Sequence, residues 1–150
     1  MKILVVILIF KLIFVSTIQG QNKTFIELLN KYRIENDLNI VENSKSLTEL
    51  AKKHATHLVE TNTCINNESN NIIVFHSSHN KIENINTKIV GNSVDFNIEL
   101  NDFVSWVNSN KHNENMLNEN INYIGYYYNT TPINFSNITV FVTFSVLIME

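Results

Sequence analysis

The first half of the chain contains two stretches in which apolar residues recur three and four positions apart, the spacing of an amphipathic helix. The first covers residues 24–36 and opens with Thr24-Phe-Ile-Glu27, a capping box whose two polar side chains satisfy amide groups at the start of a helix. The second opens with another capping box, Ser46-Leu-Thr-Glu49, and extends to about Glu60. Both stretches are therefore predicted to be helices.

The second half is richer in strand-forming residues. A third, short helix is predicted over residues 98–109. Trp106 heads an apolar cluster there with Phe103 and Val107 and is expected to be buried against the sheet. Residues 121–128 and 139–147 are aromatic and β-branched, which predicts two strands. A loop around Pro132 lies between them, so the two strands are expected to form a hairpin.

The segments between these elements give weaker signals. Residues 72–75 are apolar and predict a short buried strand, residues 77–97 show no clear period, and a polar turn is expected after residue 109. Helices that precede paired strands are typical of an α+β or a layered α/β/α domain. With 150 residues the chain suits one domain, which we assign to residues 21–150.

The first 20 residues have the pattern of a secretory signal peptide, with a basic start at Lys2, an apolar run and Gly20 at the cleavage position. The alternative is an uncleaved anchor. The run is shorter than the ~20 residues that a bilayer span needs, and Lys11 lies inside it. We therefore assign residues 1–20 to a signal peptide and expect a secreted, extracellular protein with no stable membrane span.

Charge and cysteine content narrow the class of protein. The 11 Lys and Arg against 14 Asp and Glu give a formal charge of -3, which argues against nucleic-acid binding. Cys64 is the only cysteine, so it is buried, capped or paired with another chain. The chain has 26 Asn, and so many asparagines produce N-x-[ST] triplets by chance. On a secretory route the asparagines of these triplets are glycosylation candidates, namely Asn22, Asn67, Asn129, Asn134 and Asn137.

Histidines are the main candidates for metal binding or acid–base chemistry. His54 and His57 lie three residues apart on the second helix, but His54 falls on its apolar face, which favours a core histidine. Two histidines and a carboxylate from separate segments can bind a zinc ion, and the candidates here are His76, His112 and Glu83. Scattered surface residues would show the same spacing. No G-x-S-x-G, H-E-x-x-H or phosphate-binding glycine loop is present.

The segment from Trp106 to Leu117, with Ser109 and His112 inside it, is followed by Ile124-Gly125. It resembles the W-x-x-S-x-x-H-x-x-x-[IM]-L…[IV]-G-x-[GA] motif of the CAP superfamily. That superfamily groups cysteine-rich secretory proteins, antigen-5 venom allergens, plant pathogenesis-related proteins and bacterial SCP-like proteins. The resemblance is to its disulfide-poor W-x-x-S-x-x-H type.

Three further blocks resemble the same family. Leu29-Asn-Lys-Tyr-Arg33 is similar to H-N-x-Y-R, and the segment from Ser46 to Leu58 is similar to the helix with the L-x-x-x-A-x-x-H-A pattern. His76-Ser77 with Glu83-Asn84-Ile85 resembles H-S…G-E-N-L, with Ile82 in place of the glycine. A rival alignment uses Gly91-Asn92-Ser93 and loses the glutamate.

The resemblance implies an α-β-α sandwich, with a central, mainly antiparallel sheet flanked by helices, and a cleft. It also implies a tetrad of two His and two Glu that can hold a divalent cation. Carried over to this chain, the tetrad contains His76, Glu83 and His112, while Ser109 stands where many eukaryotic members have the second Glu. Three ligands and a water can hold zinc, but the missing second carboxylate makes a tight site less favourable. We therefore expect no required cofactor and at most weak zinc binding.

These observations support three hypotheses of function. The first is a non-enzymatic extracellular CAP-like protein that binds a lipid, a sterol or a protein partner in or near the cleft. The second is a metal-dependent hydrolase of peptides, in which His76 and His112 hold a cation and Glu83 acts as base or third ligand. The third is a structural or antigenic surface protein whose site no longer acts.

The signal peptide assignment gives the first testable prediction. Because Gly20 provides the small residue that signal peptidase requires, the secreted protein is expected to begin at or near Gln21. N-terminal sequencing of protein recovered from the culture medium measures this directly. A secreted protein that still begins at Met1 would contradict the assignment.

Overall fold

A computed structural model describes residues 24–61, 81–90, 97–135 and 138–150. The expected signal peptide, the strand expected at 72–75, and Cys64 lie outside the described residues, as do His76 and the glycosylation candidates Asn22, Asn67 and Asn137. Within them the chain forms helices α1 (Phe25–Glu35), α2 (Lys45–Thr61), α3 (Ile98–Val107) and α4 (Asn110–Met116), and strands β1 (Glu42–Asn43), β2 (Ile82–Val90), β3 (Tyr123–Phe135) and β4 (Ile138–Met149).

The three predicted helices are present, with differences at their ends. At the start of α1 the Thr24 backbone N–H donates to the Glu27 carboxylate, 2.9 Å away, as in the predicted capping box. Helix α2 begins at Lys45, two residues earlier than the predicted capping box at Ser46 implies. The hydroxyl that accepts from the Leu47 N–H is that of Ser44 rather than that of Ser46. Within the described residues no helix is long and apolar enough to cross a membrane.

The strands form one mostly antiparallel sheet in the order β1-β3-β4-β2, and only β1 pairs parallel, with the start of β3. The predicted hairpin is β3–β4, and it is longer than expected. Pro132 lies inside β3 opposite Phe141, so the expectation of a loop at Pro132 was wrong. The backbone nitrogen of Pro132 faces away from β4, where the ladder requires no N–H group.

Three elements were missed by the sequence pattern, and the smallest is the two-residue strand β1. Strand β2 carries polar residues on both faces, so apolar and polar residues do not alternate along it. On one of these faces Asn84 and Asn86 bond to groups on the helices that cover it. Helix α4 replaces the expected polar turn. It is polar throughout except for Met116, its only buried residue, and so has no apolar face that a pattern could reveal.

Helices cover both faces of the sheet and make an α-β-α sandwich, the predicted fold. Helix α2 packs on one face, against Val142, Phe144, Val146 and Ile148 of β4. Helices α1, α3 and α4 pack on the other face, around Phe25, Trp106 and Met116. Trp106 is 1% exposed, as predicted, and its ring contacts Phe25 edge-on, with centroids 5.3 Å apart.

The α2 side of the sandwich depends on Gly125 of β3. A Cβ built at this glycine would lie 2.1 Å from the backbone carbon of Leu47 and 2.1 Å from the backbone nitrogen of Thr48. Both atoms are main-chain atoms of α2 and cannot move aside as a side chain can. The first turn of α2 therefore lies against bare backbone of β3, which only glycine permits.

We expect Gly125→Ala to lower the free energy of unfolding by about 3 kcal/mol or more, because α2 must move away from the sheet to admit the methyl group. Thr131→Ala, on the same face of β3 but half-buried, is the matched control and should change stability by less than about 1 kcal/mol. Urea unfolding followed by circular dichroism measures both. Equal effects of the two substitutions would show that the close approach is not a constraint.

Candidate functional site

The structure describes three of the four candidate site residues, and they lie on or beside β2 and α4. Glu83 is the second residue of β2, His112 lies in α4, and Ser109 is the residue that precedes α4. His76 lies outside the described residues. The arrangement of the tetrad as a whole is thus not tested, but the surroundings of Glu83 and His112 are.

Glu83 forms a buried pair with His54 of α2. The Nδ1 atom of His54 donates to a carboxylate oxygen of Glu83 across 2.6 Å, and the two side chains are only 12% and 7% exposed. The other ring nitrogen of His54, Nε2, is buried without a hydrogen-bond partner in the described part of the chain. His54 therefore lies at the helix–sheet interface, as its place on the apolar face predicted, but its partner was not foreseen.

Neighbouring residues of β2 point to opposite faces of the sheet. Glu83 points to the α2 face, where His54 binds it. Asn84 points to the other face, where its amide nitrogen donates to the backbone carbonyl of His112 and its carbonyl oxygen accepts from Asn115. Asn84 is completely buried, so these bonds attach β2 firmly to α4. Glu83 and the helix that carries His112 are consequently on different sides of the sheet.

The imidazole of His112 packs beside Trp106, with ring centroids 6.4 Å apart. Burial lowers the pKa of His112, and the nearby positive charge of Lys111 lowers it further, so the neutral ring is favoured. A neutral imidazole can ligate a metal. Ser109 occupies the N-cap position of α4, where its carbonyl oxygen accepts from the Asn113 N–H, but its hydroxyl makes no capping bond.

No group of three or more His, Cys, Asp and Glu side chains converges within the ranges that the structure describes. The zinc site predicted from His76, Glu83 and His112 depends on a residue outside those ranges and stays a prediction. Glu83 is the least available member of the predicted set, because a metal would have to compete with His54 for its carboxylate.

A second buried polar cluster lies on the α3 side of the sheet and was missed in the sequence. Asp102 of α3 is 1% exposed, and it accepts hydrogen bonds from the Tyr126 hydroxyl at 2.7 Å and from the Asn86 amide at 2.8 Å. Burial and the negative charge of Asp102 raise the pKa of Tyr126, so this phenol remains protonated as a donor. The cluster connects α3 with two strands.

Arg33 of α1 is a further buried charge without a carboxylate partner among the hydrogen bonds described. Its guanidinium donates to the backbone carbonyls of Asn39, Met116 and Asn118. The side chain thereby joins the end of α1 to the end of α4, where carbonyl groups lack partners within the helix. In the sequence, only the Tyr32-Arg33 pair at the end of the H-N-x-Y-R-like segment could have identified this residue. That pair does not indicate that the arginine is buried.

Similar folds are found among proteins of low sequence identity. Among curated proteins the sequence has no significant match. The solved structure of MpPR-1i is 14% identical with a TM-score of 0.54, and 84% of this chain and 83% of that chain are covered. An outer surface protein of Borrelia burgdorferi is 24% identical with a TM-score of 0.51, with 83% and 88% covered. Hookworm platelet inhibitor is 18% identical with a TM-score of 0.50, with 88% and 69% covered.

The comparison with protein families gives the assignment. The profile described as the cysteine-rich secretory protein family, CAP, matches residues 26–145. This range spans nearly all of the helices and strands described above, and the predicted resemblance is confirmed. The chain belongs to the cysteine-rich secretory protein (CAP) family.

Proposed function

We propose that this protein is a secreted, non-enzymatic CAP protein that acts by binding an extracellular lipid, sterol or protein partner. Proteins of the family are generally extracellular, and the first 20 residues have the pattern of a signal peptide. Two of the structurally similar proteins are named as an outer surface protein and as a platelet inhibitor, which are roles outside the cell.

The observation that carries the non-enzymatic part is the position of Glu83. In the hydrolase hypothesis Glu83 is the base or a metal ligand, and either role needs a carboxylate that is accessible to water or to a cation. Here the carboxylate is 7% exposed and bonded to His54 on the α2 face, whereas His112 belongs to a helix on the other face. The placement supports a structural role for Glu83.

If the pair is structural, its two members should be coupled in stability. His54→Ala leaves a buried carboxylate without its donor and should cost about 3 kcal/mol. Glu83→Gln keeps a hydrogen-bond acceptor and should cost about 1 kcal/mol. In the cycle of His54→Ala and Glu83→Ala, a coupling of about 1–3 kcal/mol is expected in urea unfolding.

Lys53→Ala, an exposed change on the same helix, is the control for this cycle and should alter stability by less than about 0.5 kcal/mol. Additive effects of His54→Ala and Glu83→Ala would mean that the two side chains do not interact. The structural role assigned to Glu83 would then be lost.

The function itself is tested by assaying peptide hydrolysis and ligand binding with the same purified protein. We expect no hydrolysis with or without zinc, and saturable binding of a fluorescent sterol or fatty acid that is followed through the single tryptophan, Trp106. Zinc should raise the melting temperature little, because a site without the second Glu is expected to bind in the micromolar range or more weakly. Any zinc shift should weaken as the pH falls below the ordinary histidine pKa of ~6.5, because protons compete with the metal for the imidazole. Since burial lowers the pKa of His112, the loss should come at a lower pH than for an exposed histidine.

Histidine and glutamate variants distinguish the possible outcomes of this experiment. His112→Ala should abolish a zinc shift, whereas His54→Ala should retain it, because His54 competes for Glu83 and is not a ligand. Zinc-dependent hydrolysis that is lost in Glu83→Gln would overturn the proposal in favour of the hydrolase. If neither sterol nor fatty acid binds, the lipid-binding part of the proposal is overturned.

A further inference from the structure

One edge of the sheet is only partly covered. Strand β1 has two residues, Glu42 and Asn43, which pair with Tyr123 and Ile124 at the start of β3. The last hydrogen bond on this side runs from the Ser44 N–H to the Ile124 carbonyl, 2.7 Å away. From there to its end at Phe135, β3 has no neighbouring strand on this side among the described residues.

The backbone pattern shows which groups face this open edge. Tyr123 and Glu150 exchange both of their backbone hydrogen bonds, at 2.9 Å each. Because bonded and non-bonded pairs alternate in an antiparallel ladder, the N–H and C=O groups of Tyr126, Tyr128 and Thr130 point away from β4. In the described part of the chain no hydrogen bond reaches these outward groups.

The open edge has little of the protection that such edges usually have. Natural proteins discourage pairing at an edge with charged side chains, proline, bulges or covering elements. Neither β3 nor β4 contains a charged residue, and Tyr128, which is 39% exposed, belongs to a run of aromatic and β-branched residues that favour strands. Pro132 is the only such guard in β3, and it lies at an outward position.

We propose that this edge pairs with the same edge of a second copy of the chain, antiparallel and about a twofold axis that passes beside Thr130. The pairs are then Thr130 with Thr130, Tyr128 with Pro132, and Tyr126 with Asn134, each partner in the other copy. The proposal goes beyond the function above and does not depend on it.

The limits of the open edge select this register. Strand β1 already occupies the position beside Ile124, so a partner strand must end where β1 begins. With the axis at Thr130, the partner's β3 reaches its own end at Phe135 opposite Gly125, one residue before that obstacle. An axis at Tyr128 would instead place residues 132–134 of the partner over β1. The available length therefore fits a second copy.

Charge favours the same occupant. A foreign peptide strand would be selected by charged or apolar pockets along the edge, and this stretch has no charged side chain to make that selection. Two identical neutral strands meet without like charges opposite each other, although the chain as a whole is acidic. A closed pair about a twofold axis is also the commonest arrangement of identical chains.

Pro132 keeps the proposed pairing weak, which gives a test in both directions. Proline has no N–H, so the Tyr128 carbonyl of the other copy lacks its donor. Pro132→Val supplies that donor on both sides of the axis and should tighten the dimer by about tenfold or more. Thr130→Lys places two positive charges opposite each other at the axis and should abolish the dimer.

Sedimentation velocity of the purified protein, from roughly 10 µM to 1 mM, measures the association before and after deglycosylation, because the glycosylation candidates Asn129 and Asn134 lie on β3. The deglycosylated parent should show a reversible monomer–dimer equilibrium. Ile34→Lys, a control with the same charge change at a residue that is 61% exposed on α1, should leave it unchanged. Circular dichroism melts establish that each variant is folded.

The proposal is overturned if the parent and Pro132→Val both remain monomeric over the whole range. It is also overturned if a dimer forms that neither Pro132→Val strengthens nor Thr130→Lys weakens, since another surface would then be responsible. If Thr130→Lys does not fold, the tightening by Pro132→Val decides alone.

Discussion

The close approach of α2 to β3 at Gly125 is the constraint on which the α2 half of the sandwich depends. No side chain separates the first turn of α2 from the strand, and the distance between helix and sheet is therefore set by main-chain atoms. This distance allows the small residues Ala51 and Ala55 to lie fully buried further along the helix. It also brings His54 within hydrogen-bond distance of Glu83, two strands away.

On the other face the sheet and helices are joined largely by buried polar groups. Asn84 bonds to the backbone and side chains of α4, Asp102 receives two donors from the sheet, and Arg33 binds carbonyls at the end of α4. Such bonds are individually modest, but a buried polar group that loses its partner is costly. The polar bonds thus hold the short α4 in place, which its single buried residue could not do alone.

The arrangement of the two faces supports the non-enzymatic part of the proposed function. Glu83, the glutamate of the predicted tetrad, points from β2 toward α2. The next residue, Asn84, points to the opposite face and bonds to α4 there. Glu83, which the resemblance assigns to a cation site, therefore helps to hold α2 on the sheet. The uncharged hairpin at the edge of the sheet is a surface of a different kind.

The sequence by itself determined three of the four described helices, the hairpin and the family. Helical spacing and a capping box identified α1, α2 and α3, the aromatic and β-branched runs identified β3 and β4, and the block around Trp106 identified the CAP family, because all these signals are local. Single buried residues such as Trp106 could be named for the same reason.

Only the tertiary structure decided β2, α4 and the partner of each candidate residue. The polar residues of β2 are buried by bonds to α3 and α4, and a strand stabilised by such long-range bonds has no alternation to read. His54 and Glu83 are 29 residues apart, and whether they meet depends on which face each strand residue takes. One position of register reverses that face, and register is set by the whole sheet rather than by the residues nearby.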